Sequence, residues 1–190
     1  MPKEPKSFKT IFVWGFVLVA ILMVGAIIDA IGVSGTCMFI LMPYFAAIVA
    51  TYPVIALNRF GTGMLVYVPY MVLGFFPLYY FDWCQSHALI GLWAVFVWST
   101  TGLVIGGSMD LVNTLTAKAN ERTRAIAIGT AMQTVTFFVM LLGLAYLYIP
   151  ISSMASHLHF FDRGWLFTMP WMAVNGAFGG YSAYAMKKRA

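Results

Sequence analysis

Apolar residues fill six long blocks of the chain, and polar residues gather in the short intervals between them. The blocks run over about residues 10–31, 36–57, 63–80, 87–109, 124–149 and 165–186. Each is close to the ~20 residues that a helix needs to cross the hydrocarbon core of a bilayer. No stretch alternates apolar and polar residues over strand lengths, which argues against a β-barrel. The intervals Gly32–Gly35 and Asn58–Thr62 leave room only for tight antiparallel hairpins. The sequence therefore predicts an all-α integral membrane protein, a six-transmembrane-helix bundle forming a single membrane domain over residues 1–190.

Composition agrees with this pattern. Of the 190 residues 62% are hydrophobic and 9% charged, against about 45–50% and about 25% in an ordinary soluble domain. Charges this sparse cannot cover the surface of a water-soluble monomer, and the composition excludes a disordered chain or a disulfide-rich scaffold. The first block has no small-residue cleavage site behind it, so it reads as a span that stays rather than a signal peptide.

Charge then orients the bundle. With the N-terminus inside, the inner segments hold Lys3, Lys6, Lys9, Arg59, Lys118, Arg122, Arg124, Lys187, Lys188 and Arg189, and the outer loops hold only Arg163. Basic residues collect on the cytoplasmic side of membrane proteins. Both termini are expected in the cytoplasm, and the membrane is expected to be a prokaryotic plasma membrane. The net charge of +5 is accounted for by topology and anionic headgroups. Nucleic acid is not an expected partner.

Small residues four apart allow membrane helices to approach closely. Such pairs recur at Gly102/Gly106, Ala125/Gly129 and Gly176/Gly180, and predict a tightly packed bundle without saying whether the partner helix lies in the same chain. Pro43, Pro53, Pro69, Pro77 and Pro170 interrupt the spans, each removing a backbone donor and favouring a kink. A faint echo links Gly25–Asp29 with Gly106–Asp110 and Pro69–Gly74 with Pro170–Gly176. With three spans per half it would describe an inverted repeat, a habit of transporters.

Candidate chemistry concentrates on the outer side. All three histidines fall there, His87, His157 and His159, with Asp82, Asp162 and Cys84. Asp29 closes the first span beneath them, and Cys37 opens the second. Imidazole and carboxylate are ligands for transition metals, so a metal at His87, His157 and His159 is one reading. Histidines that merely pack the loops, with Asp82 and Asp162 as helix caps, are the other. The spacings match no metal signature. Asp29, Asp82, His87, His157, His159 and Asp162 are the expected ligand-binding set, and the interval 150–164 is longer than a hairpin needs. Asp110, at the inner end of the fourth span, is expected to cap a helix or to partner the basic loop. Cys37 and Cys84 are either bridged or free thiols.

No phosphate loop, nucleophile elbow or mid-span histidine pair appears, so a catalytic role for the chain alone is not expected. The expected function is a small multi-pass transport protein, or the substrate-binding membrane subunit of a transporter, with its ligand entering from the outer face. In size and topology, though in no residue motif, it resembles the substrate-capturing S-components of energy-coupling-factor vitamin transporters. The alternative is a structural or metal-bearing integral subunit of a larger respiratory or oxygenase complex. Either way the lipid bilayer and other membrane subunits are the expected partners.

Overall fold

A computed structural model describes residues 5–30, 36–73, 88–146 and 152–189, with side chains described at 8–24, 42–73, 100–139 and 167–189. Among these residues there are six helices and no strand: α1 (Pro5–Ala30), α2 (Thr36–Leu57), α3 (Thr62–Leu73), α4 (Ala88–Leu115), α5 (Glu121–Tyr146) and α6 (Ser152–Arg189). The all-α class is thus observed. Among the described residues no helix is long and apolar enough to cross a membrane.

Helix ends follow from local chemistry. Asn58 closes α2 in the left-handed region (φ 49°), which asparagine tolerates better than most residues. Gly61 (φ 89°) completes the turn, and the Thr62 hydroxyl donates to the Arg59 carbonyl at 2.8 Å as α3 begins. Asn120 caps α5 by accepting from the Thr123 N–H at 2.8 Å. Glu121 lies in the first turn of α5, and Lys187, Lys188 and Arg189 in the last turn of α6. Both placements suit the helix dipole.

Two expected boundaries are corrected. The fourth helix does not stop at residue 109 but runs to Leu115, leaving only residues 116–120 as the connection to α5. The expected long loop at 150–164 is helical from Ser152 onward. Hydropathy marked where the apolar block began, not where helical geometry began. Between Pro150 and Gly164 there is no proline or glycine to break a helix.

The helices form a ring in the order α1, α2, α6, α5, α4, α3, and α2 leans inward to touch all five others. Glycine makes the tightest crossings. At the α3–α4 seam Gly63 and Gly106 face one another, so a methyl on either would strike the other's carbonyl oxygen. At the α5–α6 seam Gly129 meets Gly176, and Gly180 meets the backbone of Ala125. Gly179 sits over Tyr44, Ala47 and Ile48 of α2. The question that the small-residue pairs left open is answered here: these glycines pack within the chain.

Candidate functional site

Several polar side chains of the described residues point inward. Asp110, Asn113, Arg124, Gln133 and Asn175 are buried, while Phe12, Phe16, Val104, Phe167 and Phe178 are exposed. Burying a polar group is costly unless its hydrogen bonds are met, so the partners of each buried group define what the interior is built to do.

The densest set lies where α2 ends and α5 begins. The side-chain oxygen of Asn58 accepts from Arg124 Nη1 at 3.1 Å and from Asn113 Nδ2 at 3.4 Å, tying α2, α4 and α5 together. Arg124 also lies 3.7 Å from Glu121, which pairs in turn with Lys187 of α6. Lys187 donates a second bond to the Ile55 carbonyl at 2.9 Å, meeting one of the open carbonyls at the C-terminal end of α2. Arg124 Nε and Asn113 Oδ1 are buried with no hydrogen-bond partner among the described residues. Outside this knot Arg122 stands 5.0 Å over the Tyr181 ring.

A separate contact joins α4 to α3. Both oxygens of Asp110 accept backbone N–H groups, from Gly63 at 2.9 Å and Met64 at 3.1 Å. The carboxylate therefore caps the start of a helix forty-odd residues earlier in the chain. Of the two roles expected for Asp110, a helix cap or a partner for the basic loop, the structure shows the cap, on α3. Further out, Gln133 of α5 donates to the Pro43 carbonyl of α2, and Asn175 of α6 to the Trp171 carbonyl at 2.9 Å. Gln133 thus ties α5 to the α2 backbone beside Pro43.

The expected outer set falls elsewhere. Asp82, His87 and Cys84 lie outside the described residues. Asp29 is on α1, Cys37 on α2, and His157, His159 and Asp162 on the first part of α6, with side chains outside the described ones. Among the described residues no group of three or more metal-ligating side chains converges. The inner network, by contrast, was missed by the sequence reading. Its signal was there: Asn58, Asn113, Gln133 and Asn175 are uncharged polar residues inside or at the ends of apolar blocks. Arg124 at a span start was counted only as a topology signal.

The Asn58 geometry gives a direct test. Asn58→Gly keeps the left-handed backbone and removes only the shared acceptor, whereas Asn58→Ala also strains the turn. Alanine is expected to cost about 1 kcal/mol more than glycine, read as a difference in thermal midpoint. Equal losses would mean that the acceptor alone matters.

In comparisons with known proteins, no family model, curated sequence or solved structure matches this chain.

Proposed function

We propose that the chain is an integral membrane bundle with both termini in the cytoplasm, serving as a small transport protein or as the substrate-binding membrane subunit of a transporter. The observation that carries the reading is the apolar outer surface of the described helices. Large apolar side chains such as Phe167, 79% exposed, and Phe178, 62% exposed, face outward, while polar groups such as Asp110, Gln133 and Asn175 are buried. A surface of this kind suits lipid rather than water. The apolar blocks of the sequence extend beyond the described side chains at the outer ends of the helices, which supplies the remaining length for a crossing.

Transport is favoured by the asymmetry between the two ends. The inner end is tied shut by Asp110, the Asn58–Arg124 knot and the glycine crossings. The titratable residues Asp29, Asp82, His87, His157, His159 and Asp162 belong to the segments that the sequence reading assigns to the outer side. A ligand then enters from outside and meets a closed floor.

Replacing His157 and His159 with alanine is expected to lower ligand uptake and flatten its pH dependence between about pH 5 and 8, where histidine titrates. Unchanged uptake with an unchanged profile would remove both residues from the site.

A second reading, a subunit of a larger membrane complex, draws on one feature of α6. Phe167, Trp171, Val174, Phe178 and Tyr181 are all exposed at alternating spacings of four and three, the seam pattern of helix pairing. Purification from the native membrane separates the two readings. Copurifying ATPase subunits support transport, and copurifying redox subunits support the second.

A further inference from the structure

Two carboxylates have described side chains, Asp110 and Glu121, and they are held in opposite ways. Glu121 is partly exposed and paired with Arg124 and Lys187. Asp110 is fully buried, and among the described residues no cation pairs with it. Its charge is met by the N–H groups of Gly63 and Met64 in the first turn of α3. Ionisable groups inside a membrane bundle are costly to keep and mark functional positions by default.

The surroundings of Asp110 join a tight turn to a close backbone contact. The segment leading into α3 contains two left-handed residues, Asn58 and Gly61, so the chain on either side reverses direction over four residues. One turn from Asp110, Gly106 presses on the backbone of Gly63 and Met64 with no side chain between them. The carboxylate and the glycine contact therefore hold the same two residues.

We propose that Asp110 is a proton-binding site that acts as a latch, the carboxylate clamping the start of α3 to α4 and the protonated acid releasing it. A carboxylate accepts at both oxygens. A carboxylic acid carries an O–H on one oxygen, which loses its charge and becomes a much weaker acceptor. One of the two bonds to Gly63 and Met64 is thereby weakened. The proton comes from water at the inner face and returns to it. Thr114, one helical turn from Asp110 toward the end of α4, is exposed.

The elements packed against α4 bring few other titratable or charged groups to this end of the bundle. The α2–α3 turn brings Arg59, α3 brings Tyr67 and Tyr70, α2 brings Tyr52, and α5 brings Glu121, Arg122 and Arg124. Arg124 is engaged by Asn58 and Glu121, and Arg59 is exposed. The latch depends on the carboxylate and the α3 amides, and holds whether or not the protein transports anything.

The test is amide hydrogen exchange on the full-length protein in detergent, resolved over residues 60–66 and divided by intrinsic exchange rates at each pH from about 5 to about 9. Protection of the Gly63 and Met64 amides is expected to fall on the order of tenfold to a hundredfold from the alkaline to the acid end, the range for losing a hydrogen bond to a charged group. Asp110→Asn should show low protection at every pH, while the Gly129 and Gly176 amides stay constant in both proteins. A flat profile in the unmodified protein overturns the latch. So does an Asp110→Asn variant that retains the parent's protection and pH dependence. Should Asp110→Asn fail to fold, the parent profile decides alone, together with Asp110→Glu. That variant keeps a titrating group and is expected to keep a pH-dependent profile with a displaced midpoint; a flat one counts against the latch.

Discussion

Gly180→Leu is expected to dismantle the α5–α6 seam and leave little folded protein. A Cβ at residue 180 would collide with the carbonyl oxygen of Ala125 and lie 3.1 Å from Ile126 Cα. These are backbone atoms, which cannot swing aside as a flexible side chain can. Overpacking in a yielding core costs about 1–3 kcal/mol, and here the whole helix must move. Loss of the monodisperse peak in detergent, or a fall of many degrees in thermal midpoint, is the expected readout. Gly107→Ala provides the contrast. Its nearest neighbour is the mobile Met64 Cε at 3.6 Å, so the added methyl fits and helix propensity gains up to about 1 kcal/mol. If Gly180→Leu were as stable as Gly107→Ala, the seam described here would be wrong.

The second large effect is expected at Arg124. Replacement by methionine keeps the aliphatic bulk and removes the bonds that join α5 to Asn58 and Glu121. Losing a buried hydrogen bond to a charged group costs about 1.5–3 kcal/mol. Because Glu121 is partly exposed and keeps Lys187, no buried charge is left unpaired, and a loss of about 2 kcal/mol is expected. Chemical or thermal unfolding in detergent measures it. Arg124→Lys should recover part of the loss, since it restores charge without the planar fork. A methionine variant within about 0.5 kcal/mol of the parent would make Arg124 a topology signal and nothing more.

Arg124 also shows how far the sequence could be read. Six apolar blocks sufficed to predict six helices, because hydropathy reports long buried segments well. The blocks failed at the ends of helices. Asp110, Asn113 and Thr114 interrupt the apolar run at residues 110–115, yet α4 continues through them because Asp110 and Asn113 find partners in α3 and in the Asn58 knot. Likewise 152–164 is helical although its composition resembles a loop. The predicted outer set of histidines and aspartates rests on side chains outside the described ones. The inner network was illegible for a plainer reason: Asn58, Asn113 and Arg124 are widely separated in sequence, and only the fold brings them together. Asp110 was the exception, since a carboxylate at the edge of an apolar block is conspicuous. Even so, no pattern in the sequence named Gly63 as its partner.

The central position of α2 has a consequence for how the chain is made. This helix is made about a hundred residues before α6, yet it packs broadly against it. The Tyr44 hydroxyl bonds Ser182 at 2.9 Å, Gly179 covers Ala47, and Lys187 reaches the Ile55 carbonyl. Until residue 187 has been added, α2 is a keystone without its arch, with small residues and open carbonyls on its uncovered side. Contacts this distant in sequence close late and leave incomplete chains exposed to misassembly. A ribosome that stops just short of α6 therefore releases a product whose defect lies on α2, about a hundred residues before the break. A binder raised against the Tyr44–Ile48 surface would report chains that lack α6.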